Sequence, residues 1–251
     1  MPDGGDDAAG AGAAAATTTE AKPDRRATAA RLGTVLAPTV YVVRADATAA
    51  ATAATPEAAA VRLAWMERAD AKPFEVEVAV HRPLRGMVRE MASFLGPARE
   101  RERATVEEEK AGERRRLGPQ SLEAVRVVTT CQPASVELVA WGEAEAAEKD
   151  RLLRTFCVFA EAVCAELRAQ GYWADYADPA SGLLMGSPGQ TCWPEVQALE
   201  RLRGYRVDMA GRCHVVRHPK WGFKHYPASL FAEAPDDAVV AAIDRVAVRR
   251  G

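Results

Sequence analysis

The sequence predicts an α+β protein in which an antiparallel sheet is flanked by helices. Short apolar runs with period-2 alternation predict strands, and several of them follow one another through turns that contain Pro or Gly. Longer segments with apolar residues at helical spacing lie between these runs. Hairpins interleaved with helices are typical of an α+β layer fold, in which the helices cover the sheet.

The N-terminal half contains the first predicted elements. Residues 39–45, TVYVVRA, are a short apolar run that predicts a strand. Residues 74–81, FEVEVAVH, alternate apolar with polar side chains, which predicts a half-buried strand. Residues 84–95 switch to helical spacing and stop at a Gly-Pro pair. Residues 125–141 predict two strands joined by a turn at Pro133.

The C-terminal half contains the strongest predicted helix. Residues 143–171 carry one apolar stripe, acidic residues in the first turns and Gly171 at the predicted end. The other predicted elements, in chain order, are a strand at 172–176, a turn at 178–182, a short helix at 192–204, a hairpin at 206–218 that turns at Ala210–Gly211, a strand at 228–234 and an amphipathic helix that starts at Pro235.

Composition argues against several classes of protein. Of the 251 residues, 48% are hydrophobic and 27% are charged, as in an ordinary soluble globular protein. A net charge of -2 gives no electrostatic reason to expect nucleic acid or an anionic membrane as a partner. No apolar run approaches the roughly 18 residues that a membrane span requires. The 5 cysteines are odd in number and form no C-x-x-C pair, so we expect free thiols in a reducing compartment.

We predict three regions along the chain. Residues 1–38 are rich in Ala, Gly and Thr and have too little apolar surface to offset their ordering entropy, so we expect a disordered tail. Residues 39–71 form a poorly defined N-terminal segment, and residues 72–251 form the α+β domain. Within that domain, residues 98–118 carry interleaved cations and anions in near balance, which predicts a charged surface segment rather than a binding patch.

The stretch GRCHVVRHPKWG, towards the C-terminus, holds the side chains with the most chemistry. It places Cys213 next to His214 and close to His218. Arg212 and Arg217 flank the thiol, and none of the other cysteines has such neighbours. We consider three kinds of site here: a zinc centre, a cysteine nucleophile with a histidine base, and a soft ligand for a metal that comes from elsewhere.

Strand geometry disfavours a zinc centre and a nucleophile. If this stretch is a strand, Cys213 faces one way while His214 and His218 face the other. They cannot then converge on one tetrahedral ion, even with His225 as a fourth ligand. A histidine base would have to reach Cys213 by tertiary contact. The chain also lacks G-x-S-x-G, H-E-x-x-H, P-loop and G-x-G-x-x-G patterns, so we predict no catalytic residue.

A soft ligand and a buried, inert thiol are the two hypotheses left open for Cys213. Arg212 and Arg217 would favour the thiolate, which is the ligating form, and a position near a turn would leave it partly exposed. Sulfur suits a soft or borderline transition metal. A lone cysteine is more commonly a small core hydrophobe. Solvent exposure of Cys213 decides between the two.

Three long blocks of sequence resemble a known family. They are AVCAELRAQGYWADYADPASGLLMG, RGYRVDMAGRCHVVRHPKWG and ASLFAEAP. They resemble the methylmalonic aciduria and homocystinuria type D protein family, the cblD-type proteins of vitamin B12 trafficking. The resemblance covers the chain from about Leu122 to the C-terminus and extends more weakly to FEVEVAVHRPLRGMVREMASFLGP. The first seventy residues show no usable resemblance.

The resemblance implies a nitroreductase-like α+β fold without flavin and without enzyme activity. Such proteins act as adapters: they bind a cblC-type cobalamin-processing protein and direct the cofactor to methionine synthase or methylmalonyl-CoA mutase. Cobalamin is then shared with the partner rather than bound alone, and a cysteine of the family coordinates its cobalt. That cysteine maps to Cys213. The alternative function is a flavin- or thiol-dependent reductase of the same fold.

The neighbouring position departs from the family pattern. A mammalian member has two adjacent cysteines where this chain has Arg212 and Cys213. If the first of that pair is the ligand, Cys213 must substitute for it from the next strand position, which faces the other side of the sheet. Arg212 and Arg217 are the residues that we predict to stabilise the thiolate.

Other polar and aromatic residues in the matching blocks are predicted to have interface or structural roles. Indole and phenol rings are more often core or interface anchors than platforms for a cofactor. The more specific alternative to a structural role is that one of the histidines of the hairpin binds cobalamin as a ligand, but the D-x-H-x-x-G signature of B12 domains is absent. The residues concerned are His214, His218, Trp221, Trp173, Tyr172 and Asp178.

We expect the protein in the cytoplasm, with the mitochondrion as a second compartment. Arg25, Arg26 and Arg31 lie among Ala and Thr as in a transit peptide, whereas the acidic residues of the tail argue against one. The nitroreductase-like resemblance also leads us to expect a homodimer.

Overall fold

The computed structural model describes residues 33–44, 72–96, 122–187 and 189–250. Its strands are β1 (Thr34–Val43), β2 (Phe74–His81), β3 (Val125–Pro133), β4 (Trp173–Tyr176), β5 (Arg206–Ala210), β6 (Cys213–Arg217), β7 (His225–Glu233) and β8 (Ala247–Arg249). Its helices are α1 (88–96), α2 (Glu143–Ala169), α3 (Glu195–Arg203) and α4 (Asp236–Val246). A 3-10 turn, Arg85–Met87, leads into α1, and another, Leu122–Ala124, leads into β3.

Six strands form one sheet in the order β4-β7-β3-β2-β1-β8, and every neighbouring pair is antiparallel. Strands β5 and β6 pair antiparallel with each other in a separate two-stranded sheet. The predicted α+β class, with an antiparallel sheet flanked by helices, is confirmed. In the described part of the chain no helix is both long and apolar enough to cross a membrane.

Helices cover both faces of the six-stranded sheet. On one face, strand residues such as Tyr41 and Leu230 pack against Phe156 and Phe159 of α2 and Ile243 of α4, all of them buried. On the other face, β3 and β7 pack against α1 and α3 in a second core. Its large members include Met91, Phe94, Trp193, Leu202 and Phe231. Adjacent residues of one strand point to opposite faces, so the two-sided core buries most of the central strands β2, β3 and β7.

The half-buried character predicted for β2 is wrong. Val76 through His81 are all buried, including the polar residues Glu77 and His81. The apolar set packs on the α2 and α4 side. On the polar side, Glu77 contacts Arg203 of α3 and the residues Tyr205 and His218 that flank the β5–β6 hairpin, all of them from much later in the chain. Local alternation describes the two faces of a strand, but it does not report that a second layer lies on the polar one.

The predicted hairpin at 125–141 is also wrong. Residues 125–133 form the single strand β3, and residues 134–142 are an irregular loop. The backbone of this loop forms hydrogen bonds with a later part of the chain instead of a strand ladder. The amides of Ala134 and Leu138 donate to the carbonyls of Lys224 and Phe223. The chain therefore leaves the sheet at Pro133, whose missing N–H disfavours a continued ladder.

Two further strands change the predicted boundaries. Strand β1 begins at Thr34, inside the segment predicted as a tail, and pairs with β2 along its length. The short strand β8, which was not predicted, follows α4 directly and pairs with β1. The N-terminal strand and the C-terminus thus close the same edge of the sheet. The rest of the predicted tail, residues 45–71 and the charged segment at 98–118 lie outside the described residues.

Candidate functional site

A tight hairpin presents the cysteine that the sequence singled out. Ala210 and Cys213 are directly opposite each other, so the turn contains Gly211 and Arg212 alone. Gly211 has φ 62, a left-handed conformation that a residue without Cβ adopts at little cost. Glycine at the first position of a two-residue turn is typical of type II′, whose twist suits a β-hairpin. The predicted hairpin and its turn are confirmed.

Cys213 is solvent-exposed, at the first position of β6. Along β6 the side chains alternate as expected, because Val216 is buried against the protein while Cys213 and Arg217 are exposed. His214 lies on the same strand face as Val216 but near the exposed tip, opposite Met209. The described residues contain no cluster of His, Cys, Asp or Glu that could hold a metal ion. The exposure of Cys213 rules out the buried thiol, one of the two hypotheses left open from the sequence.

The two arginines predicted to stabilise the thiolate differ in their surroundings. Arg217 donates from Nε to Oδ2 of Asp208 at 2.6 Å, and its guanidinium lies 4.4 Å from the ring centroid of Phe223. The hydrogen bond from Arg217 and the charge of Arg206 hold the pKa of Asp208 below its usual value. Arg212 is exposed in the turn next to Cys213. The role of either arginine towards Cys213 stays a prediction.

Beneath the hairpin lies a buried polar cluster that centres on Glu77 of β2. Its Oε1 accepts hydrogen bonds from Oη of Tyr205 at 3.0 Å and from Nε2 of His218 at 3.1 Å. Nη2 of Arg203, whose side chain is 0% exposed, lies 2.8 Å from the same oxygen. Burial alone would raise the pKa of Glu77, but the hydrogen bond from His218 and the charge of Arg203 lower it. We therefore describe Glu77 as an ionised carboxylate with one buried cation beside it.

The hydrogen bonds of His218 fix its tautomer. Its Nδ1 accepts from the backbone amides of Lys220 and Trp221, at 3.1 and 3.2 Å, and so carries no proton. Its Nε2 must then carry the proton that it donates to Glu77. Both ring nitrogens are occupied, and Trp221 stacks on the ring with centroids 4.2 Å apart. His218 is thus structural, and it has no free lone pair for a metal.

His225 completes the cluster. Its Nδ1 donates to the carbonyl of Gly222 at 2.9 Å, which leaves Nε2 as the unprotonated nitrogen. Burial, followed by the nearby His218, lowers the pKa of His225 to about 4. His225 is buried and the thiol of Cys213 is exposed at the hairpin tip, so they do not form the zinc set that strand geometry had already disfavoured.

Of the remaining cysteines, Cys131 and Cys164 are buried, Cys157 is half-buried against the main core and Cys192 is exposed. Burial raises the pKa of Cys131 and of Cys157 to about 12, and Cys164 is buried in the main core. These three behave as the small core hydrophobes that the sequence predicts for Cys157 and Cys164. Cys192 is exposed, which sequence reasoning missed. It follows a Gly-, Ser- and Pro-rich stretch, and that composition is the signal that could have indicated exposure.

The other residues predicted for interface or structural roles lie away from the hairpin tip. Trp173 packs at the margin of the second core and Tyr172 at the margin of the first. Asp178 accepts from the amides of Ala180 and Ser181, as expected for the predicted turn. Their contacts are those of core and turn residues. The residue missed by sequence reasoning is Glu77, although a glutamate in a strand of valines is itself a signal of a buried partner.

The fold and the hairpin define a class of protein: an α+β domain that exposes one thiol at the tip of a hairpin anchored on its sheet. The chain belongs to the methylmalonic aciduria and homocystinuria type D protein family, whose family model matches residues 116–244. The match spans more than half of the 251 residues and includes the hairpin. The resemblance stated from the sequence is thereby confirmed.

Three curated relatives share the same name, Cobalamin trafficking protein CblD. The chain is 36% identical over 114 residues to the proteins from Rattus norvegicus and Homo sapiens, a match that covers 45% of this chain and 38% of each relative. It is 34% identical over 116 residues to the protein from Mus musculus, covering 45% of this chain and 39% of the relative. The matched segment therefore spans well under half of the relatives' length.

Proposed function

We propose that this protein is a cobalamin-trafficking adapter that offers the thiolate of Cys213 to the cobalt of cobalamin held by a partner protein. The observation that carries the proposal is the exposure of Cys213 at the tip of a hairpin in a member of this family. The relatives' name supports cobalamin as the cargo.

The chemistry of the tip fits such a role. A ligand that is presented to a metal in another molecule must be reachable from solvent, must be a soft donor for a soft or borderline transition metal, and must be available as thiolate. Cys213 meets the first two requirements, and the adjacent exposed Arg212 favours the third. Cobalt is the cargo in this scheme, and the thiolate of Cys213 would supply one ligand to it.

The partner in this proposal is a cblC-type cobalamin-processing protein. The complex would direct the cofactor to methionine synthase in the cytosol or to methylmalonyl-CoA mutase in the mitochondrion. The adapter itself carries out no bond-making step on a substrate. Fractionation of cells that express the tagged chain tests the two compartments.

Visible absorption of the complex tests the ligand. The protein is mixed with a cblC-type partner loaded with cobalamin, and the spectrum is compared for wild type, Cys213→Ser and Cys192→Ser. Because Cys192 is also exposed and free, it is the matched control for a non-specific thiol. We expect a cobalt–thiolate band for wild type and Cys192→Ser and none for Cys213→Ser.

Two results would contradict the proposal. An identical band from Cys213→Ser would assign the ligand to another residue, and a missing band in all three proteins would remove the ligand role altogether. The reductase hypothesis is tested on the same preparation: protein that is yellow as purified, or that oxidises a nicotinamide cofactor, would favour that alternative.

A further inference from the structure

One carboxylate oxygen holds both ends of the hairpin that carries Cys213. Tyr205 immediately precedes β5 and His218 immediately follows β6, and both donate to Oε1 of Glu77, at 3.0 and 3.1 Å. Arg203, the last residue of α3, lies 2.8 Å from the same oxygen. Glu77 belongs to β2, which lies between β1 and β3 in the six-stranded sheet. The hairpin is therefore tied at its base to an interior strand of the six-stranded sheet.

The rest of the hairpin has few directional contacts. Its strands pair with each other and not with the six-stranded sheet. A two-stranded hairpin has marginal stability by itself, so its orientation depends on what holds its base. Val216 and the ring of Tyr205 pack against Leu199 and Cys131. This apolar contact holds the hairpin against the protein, but it is non-directional and does not fix the angle of the hairpin to the sheet. The stack of Arg217 on Phe223 is a second, exposed tie on the other face.

The length of the hairpin makes the base important for the tip. At about 3.4 Å per residue, the four steps from Arg217 to Cys213 cover about 14 Å. A tilt of about 10° at the base would move the thiol by about 2 Å, whereas a metal site must be held to within about 0.5 Å of its productive geometry. Small freedom at Tyr205 and His218 would thus remove Cys213 from reach of a metal that is held elsewhere.

We propose that Glu77 is a positioning residue for Cys213: its carboxylate clamps Tyr205 and His218, and so fixes the direction in which the hairpin points its thiol. The consequence for metal ligation rests on the proposed function, but the clamp itself does not. His218 suits this role because its Nδ1 is held by the backbone of the following turn, which leaves Nε2 to face Glu77.

A distance measurement between two spin labels tests the clamp without any cobalamin. One label is placed on Cys213 and the other at Ala147→Cys, an exposed position on α2, in a Cys157→Ala, Cys192→Ser background. Double electron–electron resonance then gives the distance distribution. We expect one narrow distribution with Glu77 present and a distribution at least twofold wider with Glu77→Gln, because the neutral amide loses the charge that pairs with Arg203 and accepts more weakly from Tyr205 and His218.

Ile243→Val is the control for a general loss of stability. Ile243 is buried in the opposite core, on α4, and its contacts do not include the hairpin. We expect this variant to keep the narrow distribution. If Glu77→Gln does not fold, Tyr205→Phe removes one of the two donors and keeps the pair of Glu77 with Arg203, and we expect a smaller broadening. An unchanged distribution in a folded Glu77→Gln or Tyr205→Phe protein would overturn the clamp.

The cobalt–thiolate band supplies the second readout. With the cobalamin-loaded partner, we expect Glu77→Gln to lower the band at least fivefold and Ile243→Val to leave it unchanged. A widened distance distribution with a full band would overturn the positioning role of Glu77. A missing band in wild type would instead contradict the proposed function. The spin-label distances would still test whether Glu77 fixes the direction of the hairpin.

Discussion

Asp208 and Arg217 form a diagonal ion pair across the hairpin, with Oδ2 of Asp208 2.6 Å from Nε of Arg217. Both residues lie on the strand face that bears Cys213, because Asp208 is opposite Val215 and positions two apart share a face. Asp208 also accepts from Arg206, at 2.9 Å. The charge of Arg217 is therefore partly compensated by a carboxylate that Arg206 shares, at the end of β6 that is farthest from the thiol.

We expect the two flanking arginines to affect Cys213 unequally. Arg212 is the exposed chain neighbour of Cys213, and the attraction between nearby exposed charges is weak in water, so we expect an effect of about two- to threefold in rate. Arg212→Ala should slow the reaction of Cys213 with a disulfide reagent by about that factor, and Arg217→Ala should change it less. Mass spectrometry of the labelled peptides measures the rate.

Cys192 gives the internal reference for this experiment. It is exposed in the same protein, so its labelling rate should be the same in both variants. Equal slowing of Cys213 by Arg212→Ala and Arg217→Ala would show that Arg217 affects the thiol as strongly as Arg212 despite its ion pair with Asp208.

Sequence patterns predicted where the strands and turns lie better than they predicted which residues pack against them. The bounds of β2 were predicted correctly because its alternation is local, and the turn at Gly211 followed from a glycine between two apolar runs. The buried polar side of β2 could not be inferred, because Arg203, Tyr205 and His218 lie more than a hundred residues away. The strand predicted after Pro133 failed because tertiary hydrogen bonds to residues 223–224 replaced a ladder.

The candidate site shows the same division. Strand periodicity correctly separated Cys213 from His218, and exposure of a cysteine beside a turn was anticipated as one of two outcomes. The anchor at Glu77 depends on three elements that meet in space, and no spacing in the sequence encodes that meeting. Buried polar groups in a predicted strand are the most useful hint, since each requires a partner from elsewhere.

The buried side chain of His225 should make the folding stability sensitive to mild acid. Burial lowers the pKa of His225 from 6.5 to about 4. Between these two values of pH, His225 is protonated in the unfolded chain but neutral in the folded chain. This contribution to stability is complete above pH 6.5 and is lost as pH falls towards 4. At about 1.4 kcal/mol per pKa unit it amounts to about 3 kcal/mol. Urea unfolding between pH 7 and pH 4 measures it.

His225→Asn isolates this contribution, because the amide nitrogen of asparagine can donate to the carbonyl of Gly222 as Nδ1 does. The variant should lose less stability than wild type over the same pH range. Glu195 acts in the opposite direction in both proteins, since burial raises its pKa to about 7 and the folded state takes up a proton there. Parallel pH profiles for wild type and His225→Asn would assign the acid sensitivity to other groups.

The turn at the hairpin tip allows the cost of a left-handed backbone conformation to be measured without any steric clash of an added side chain. A Cβ on Gly211 would have no heavy atom within 4 Å, so Gly211→Ala introduces only the cost of a left-handed φ, about 1–2 kcal/mol. Gly189 also has open space around it but no left-handed φ, so Gly189→Ala is the matched control. We expect hydrogen exchange of the β5–β6 amides to accelerate about fivefold or more in Gly211→Ala and to be unaltered in Gly189→Ala. Protection that is equal in both variants would mean that the turn does not hold the hairpin together, and that the contacts of Val216, Tyr205 and His218 at its base suffice.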